Sequence, residues 1–222
     1  MNPRYYRKFN YNKSLLPNHL LREKEEAALD LESAQRETGK TVGYPGWNLL
    51  YYCCLCSLNP ESEHTIIETG TNWGFSTIVL AQALKDSEAK GKIHTIELDE
   101  SNLKIAQINF ESAGLSEYIE THLGNSLEIL PTVISKQRLS FAFLDGNHSM
   151  SHVLQEFAMV EKRLKPGAKV FFDNTEDIGQ TDDLLVFGAL KVIEDKFDGN
   201  LVRFPYCSWY TPGQAIWEKP HG

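Results

Sequence analysis

From His64 onward the chain alternates short β-rich apolar runs with amphipathic stretches. HTIIET precedes helix-like FSTIVLAQALK, KIHTIE precedes ESNLKIAQINFESAG, YIETHL precedes a short SLEIL turn, and RLSFAFLD precedes SHVLQEFAMVEKRLK and then AKVFFD. Strand, helix, strand, helix repeats of this kind build a parallel sheet with helices on both faces, because right-handed crossovers place them there. The expected class is α/β: a doubly wound, Rossmann-like, mostly parallel seven-stranded sheet. After Asp173 the pattern changes to a polar loop (Asn174 to Asp183) and a helix through LLVFGALKVIEDKF. NLVRF and QAIWEK then follow, joined by aromatic-rich PYCSWYTPG, and predict an antiparallel hairpin closing one sheet edge. Ser101 is expected to cap the helix that runs to Gly114, and Lys165-Pro166-Gly167 to stop the next helix before a strand at Ala168.

The first sixty residues differ in kind. LREKEEAALDLESAQRE reads as an exposed or partner-contacting helix and GWNLLYYCCLCSL as a buried one, with TVGYPG as the joint. Residues 1–60 are therefore taken as an N-terminal arm and helical cap, and residues 61–222 as the ligand-binding domain. Residues 1–22 hold Arg4, Arg7, Lys8, Lys13 and Arg22 with no acid, which reads as a solvated arm. The start has no apolar signal core, and the longest apolar run, Leu49 to Cys56, is too short to cross a bilayer, so a soluble, non-exported, cytoplasmic protein without membrane partners is expected. Cys53, Cys54, Cys56 and Cys207 fit neither C-x-x-C redox chemistry nor a paired zinc knuckle, and read as buried reduced thiols. A formal charge of −8 repels polyphosphate and argues against nucleic-acid binding.

Glu68-Thr69-Gly70-Thr71-Asn72-Trp73-Gly74-Phe75-Ser76 links the first strand to its helix. Gly70 and Gly74 let backbone approach a ligand closely, and the free N–H groups of the helix start favour a carboxylate or phosphate. The spacing G-x-x-x-G departs from the dinucleotide fingerprint G-x-G-x-x-G. Glu97 ends the second strand, where an acid can accept both hydroxyls of an adenosyl ribose, so a nucleoside-containing ligand is expected. Asp145, Asp173 and Asn174 end the fourth and fifth strands, which are expected to be neighbours. Three oxygen ligands could meet there on one hard cation, or the same residues could simply start loops.

E-x-G-x-x-x-G-x-S, T-I-E, G-N-S, F-L-D and F-D-N, in that order over residues 64–174, resemble the class I S-adenosylmethionine-dependent methyltransferases of the small O-methyltransferase group. The likeness is to the metal-dependent catechol and caffeoyl-CoA type, and D-G-N-H is also similar to sugar and macrolide O-methyltransferases. The resemblance implies that Glu68, Gly70, Thr71, Asn72 and Gly74 belong to the cofactor loop. Ser76 would hold the carboxylate of S-adenosylmethionine, Glu97 and Leu98 would face the ribose, Asn125 and Ser126 would flank the adenine, and Asp145 would lie near the amino group. Val42 and Gly43 resemble the segment that closes over the methionine part. Asp145, Asp173 and Asn174 would be a site for magnesium or a similar divalent cation.

His148 stands where the catechol-type enzymes carry lysine and keeps a group able to take a proton, which with Asp145 makes the expected catalytic pair. His152 reads as a surface histidine, since HSMSH lacks the glutamate of H-E-x-x-H. The implied activity is methyl transfer to a hydroxyl of a phenolic or sugar-containing small molecule. Trp47, Tyr44, Tyr206, Trp209 and Tyr210 could wall the acceptor pocket or serve as core. The helical N-terminus and an acidic, aromatic-containing surface permit a homodimer. Two alternatives stay open: a non-catalytic S-adenosylmethionine-binding protein and, with a poorer match in the glycine turn, an NAD-dependent oxidoreductase.

Overall fold

The sheet is built from alternation within each strand. In the computed structural model, which describes residues 13–28, 30–39, 41–176, 185–205 and 211–221, β1 (Glu63–Thr69) turns Ile66 to one face and Ile67 to the other. Likewise β4 (Leu139–Leu144) sends Phe141 and Phe143 one way, Ala142 and Leu144 the other, and β5 (Leu164–Asp173) divides Phe171 from Val170 and Phe172. Both faces of these central strands are thus apolar, as a sheet covered by helices on either side requires. One layer holds α4 (Phe75–Asp86) and α5 (Glu100–Ser112); the other holds α6 (Ser126–Val133), α7 (Met150–Glu161) and α8 (Val186–Lys196).

The sheet has seven strands in the order β3-β2-β1-β4-β5-β7-β6, where β2 is Lys90–Glu97, β3 Ile119–Leu123, β6 Asn200–Phe204 and β7 Gln214–Glu218. The first five run parallel; β7 is antiparallel to both β5 and β6. The order reverses between β1 and β4, which opens a crevice at their carboxyl ends.

Several local expectations are corrected. Asp99, not Ser101, caps α5, its carboxylate accepting from the Ser101 and Asn102 amides; a carboxylate also complements the positive end of the helix dipole. Lys165-Pro166-Gly167 lies inside β5, which begins at Leu164. The strand absorbs it because its register with β4 shifts between Leu139 and Phe141, and the Gly167 amide donates instead to the Lys219 carbonyl. SLEIL is the start of helix α6, with Asn125 as its cap. LREKEEAALDLESAQRE divides into α1 (His19–Ala27) and α2 (Leu31–Thr38), and Leu20 and Leu21 of α1 enter the core beneath α4 rather than facing a partner. α3 (Gly46–Leu55) buries Trp47, Leu50 and Cys54 but leaves Tyr52 and Cys56 exposed and Cys53 half-buried, so only one of these free thiols is a core residue. Arg4, Arg7, Lys8, Cys207 and the aromatics Tyr206, Trp209 and Tyr210 lie outside the described residues.

Gly70 sits at φ +87° where the tip of β1 passes β4, and a Cβ there would lie 2.3 Å from the Asp145 carbonyl oxygen. Neither backbone can yield cheaply, so Gly70→Ala combines left-handed strain with a backbone collision. We expect a loss of about 2–4 kcal/mol, read as a fall of roughly 4–16 °C in melting temperature; a shift under about 2 °C would show that the tips separate freely.

Candidate functional site

The crevice between β1 and β4 is a cleft of about 840 Å³. That is ample for a nucleoside-sized ligand. Its wall includes Gly70, Thr71, Asn72 and Ser76 after β1, Glu97 and Leu98 after β2, and Asn125 and Ser126 after β3. Asp145 and His148 follow β4, and Asp173 and Asn174 follow β5. Two residues expected here stand behind the wall instead. Gly74 (φ +83°) is the N-cap of α4, packed so closely on α5 that a Cβ would lie 2.4 Å from Phe110, and it acts by shaping the turn.

Glu68 is the other. It is fully buried; its Oε2 accepts from the Thr95 hydroxyl at 2.6 Å and from the Thr77 hydroxyl, while Oε1 has no partner. Burial pushes its carboxyl up to about 7 despite the opposing hydroxyls of Ser76, Thr77 and Thr95, and the charge of Asp145 pushes the same way. Glu68 thus ties β1 to β2 and to the start of α4.

At the tip of β2 the Glu97 carboxylate is held in place by three backbone amides: Asn72 N at 2.6 Å, and Leu98 N and Asp99 N at 2.9 Å each. A carboxylate has about four lone-pair directions, so capacity remains for a ligand hydroxyl. Asn72 adopts φ +49°, a left-handed conformation that asparagine tolerates, and its side chain reaches the Gly39 carbonyl. The N-terminal segment meets the cleft through Thr41; Val42 and Gly43 are buried beside it. Trp47 is core, stacked on Phe75, and is not part of the wall, whereas Trp73 is.

Across the cleft lie the acids. The Asp173 Oδ1 accepts from the Thr211 hydroxyl (2.8 Å) and the Gln214 amide (3.3 Å), but its Oδ2 is buried without a partner. Burial first, then the charge of Asp145, raises Asp173 well above the usual carboxylate range, and Asp145 is raised by burial against the opposing pull of His148. His148 Nε2 donates to Asp145 Oδ1 at 3.1 Å, and Asn174 Nδ2 donates to His148 Nδ1 at 3.1 Å. Burial alone would lower this imidazole, but the bond to Asp145 and the charges of Asp145, Asp173 and Glu156 raise it above the ordinary histidine value. Since its Nδ2 is engaged by the ring, Asn174 leaves Oδ1 buried and unpartnered, at φ +57°.

Two orphaned oxygens, one carboxylate and one amide, beside the Asp145 carboxylate are costly unpartnered and suit a hard divalent cation. The donors present therefore fit a magnesium-like ion.

Residues 67–175 match a family model described as a methyltransferase domain. A catechol O-methyltransferase of Niastella koreensis is 28% identical over 118 residues, covering 53% of this chain and 52% of that protein. The O-methyltransferase TomG of Streptomyces achromogenes, involved in tomaymycin synthesis and solved with S-adenosylmethionine, superposes with a TM-score of 0.70 at 22% identity, covering 91% and 90% of the two chains. An O-methyltransferase of Bacillus cereus with S-adenosylhomocysteine gives 0.69 at 20% identity, covering 90% of each chain.

This chain carries a methyltransferase domain over residues 67–175. It spans about half the length of the curated relatives it matches. Within this methyltransferase fold, one wall residue runs against the sequence reading. His152 is no surface histidine: it lines the cleft, its side chain is 14% exposed, and its Nε2 bonds Ser126 Oγ at 2.8 Å. Glu156 Oε1 lies 3.2 Å from the same nitrogen, without hydrogen-bond alignment, while Glu156 Oε2 accepts from Thr69 at 3.1 Å. His152 and Glu156, four residues apart, fall on one stripe of α7, which was the available signal. Thr211 and Gln214, which anchor Asp173 from beyond β5, carry none.

Glu68 offers a test of the strand-tip electrostatics. An acid whose folded value is raised contributes stability below its unfolded value near 4.5 and loses it as pH rises toward about 7. Glu68→Gln removes that titration. In urea unfolding the variant's stability relative to wild type should rise by up to about 3 kcal/mol between pH 4.5 and pH 8; a difference independent of pH would contradict the assignment.

Proposed function

We propose that the protein is an S-adenosylmethionine-dependent O-methyltransferase acting on a hydroxyl of a small molecule, with a phenolic acceptor and a divalent cation at Asp145, Asp173 and Asn174. The observation that carries this reading is a single cleft holding an oriented acid at the tip of β2 and, opposite it, two buried oxygens with no partner, Asp173 Oδ2 and Asn174 Oδ1. The phenolic acceptor is supported by the N. koreensis relative, named a catechol O-methyltransferase; glycosides are the alternative. A cytoplasmic location is part of the same reading and is supported by the free thiols Cys53, Cys54 and Cys56.

In this account Glu97 accepts the ribose hydroxyls, and Asn125 and Ser126 flank the adenine. Ser76 and the start of α4 face the cofactor's carboxylate. S-adenosylmethionine supplies an electrophilic methyl: the acceptor oxygen forms the new C–O bond as the C–S bond breaks and its electron pair returns to sulfur. A hard cation at the three oxygen ligands would supply a lowered pKa at the acceptor hydroxyl. His148 receives the proton at Nδ1, exchanging the Asn174 amide for the acceptor, and its Nε2–H remains on Asp145, which stabilises the resulting imidazolium. The walls hold the oxygen in line with the methyl, and positioning of this kind is worth about 7–11 kcal/mol in well-oriented reactions.

S-adenosylhomocysteine should raise the melting temperature whereas NAD should not, and Glu97→Ala should weaken S-adenosylhomocysteine about tenfold or more in calorimetry; unchanged affinity would remove Glu97 from the site. In methyl-transfer assays over catechols, hydroxycinnamates and glycosides, EDTA should suppress product and magnesium restore it, with His148→Ala slower by about 10²–10⁴-fold. Full turnover after thorough chelation would refute the metal, and no product from any acceptor would favour a protein that binds the cofactor without turnover.

A further inference from the structure

A second group of ligand-type side chains lies on the face of the sheet rather than at its tips. His94 on β2 pairs in register with Glu120 on β3, and Ile96 pairs with His122. Side chains alternate across a strand, so His94, Glu120 and His122 all project to the face that carries Ile96 and the α6 layer. None of the three belongs to the cleft wall. His94 Nδ1 is 3.2 Å from His122 Nε2 and 3.3 Å from Glu120 Oε2, the two rings are nearly parallel with centroids 5.4 Å apart, and all three ligand atoms fall within 4.8 Å of one another.

These separations have a specific meaning. Ligands bound at 2.0–2.1 Å in a tetrahedral arrangement stand about 3.3 Å from each other. Hydrogen bonding alone accounts for the trio poorly, because the single Nδ1 of His94 faces both neighbours and can serve only one of them at a time. Burial holds both imidazoles below the ordinary histidine value, so the neutral rings that coordinate a metal are the forms present near neutral pH. The nearby Lys92 ammonium is drawn aside to the Glu117 carbonyl at 2.5 Å.

We infer that His94, Glu120 and His122 form a site for a transition-metal dication of the zinc class, with the remaining position open to water. Two imidazole nitrogens and one carboxylate oxygen select zinc, cobalt or nickel over magnesium, which takes oxygen ligands. The site is therefore chemically distinct from the all-oxygen group at Asp145, Asp173 and Asn174. Occupied, it would fasten the five-residue edge strand β3 to β2.

Untagged protein titrated calorimetrically with zinc chloride in excess magnesium should show one site of this kind. Glu120→Gln and His122→Gln should each weaken it tenfold or more, and Asp173→Asn should leave it intact. Glu120 is half exposed, so its replacement spares the fold, which melting curves without metal will verify. Cobalt in place of zinc should give the intense visible bands of a four-coordinate ion. Absence of zinc binding by the wild type, affinity unchanged in both variants, or a cobalt spectrum abolished by Asp173→Asn rather than by Glu120→Gln would each overturn the inference.

Discussion

The close passage of β1 against β4 governs the rest of the molecule. Asp145 N donates to the Thr69 carbonyl at 3.1 Å, Gly70 N to the Ile96 carbonyl at 3.0 Å, and Gly124 N to the Glu97 carbonyl at 2.8 Å, so the tips of four strands are joined by backbone bonds just where their chains diverge. Only a residue without a side chain can occupy position 70, since its Cα faces the Asp145 carbonyl. With the tips fixed in this way, β2 and β3 lead away to one side and β5 to the other, and the cleft between them is a consequence of strand order rather than of any particular loop.

The rigid rim then allows charge to be concentrated at a cost the fold can carry. Glu68, Asp173 and Glu156 are all buried, and Asp145 is largely so. Each is tied to its place differently: Glu68 by threonine hydroxyls, Glu156 by Thr69, Asp173 by Thr211 and Gln214, Asp145 by His148. What separates these groups is where their spare oxygens lie. Glu68 turns away from the cleft and secures α4, while Asp173 and Asn174 line the cleft and keep unpartnered oxygens. Burial and the charge of Asp145 raise Asp173 because Thr211, Gln214 and His148 compensate its charge only in part, which is the condition a bound cation would relieve.

The parallel core and the acid at the tip of β2 were legible in the sequence because both are local. Short, nearly continuous apolar runs such as HTIIET and RLSFAFLD report a strand buried on two faces, and Glu97 ends its strand directly. The misreadings share one cause: competition decided by tertiary contacts. Lys165-Pro166-Gly167 looks like a helix stop, yet the Gly167 amide finds the Lys219 carbonyl and the segment becomes strand. Ser101 looks like a cap, but Asp99 offers a charged acceptor two residues earlier. His152 looked superficial since its partner Ser126 sits on another helix, and Thr211 is far along the chain from the Asp173 it anchors.

Asn174 and His148 show how these levels combine. The left-handed turn at Asn174 ends β5 and swings its amide toward His148, whose own position is set by Asp145. With one ring nitrogen donating to Asp145, the other must accept, so the amide must present Nδ2 to the ring. That choice leaves Oδ1 with no partner. The unpartnered oxygen is therefore an outcome of the neighbouring ring's tautomer, and the proton affinity of the same ring is raised by its bond to Asp145. In the proposed reaction His148 thus couples proton acceptance to the orientation of a proposed cation ligand, since a proton arriving at Nδ1 displaces the Asn174 amide from the ring.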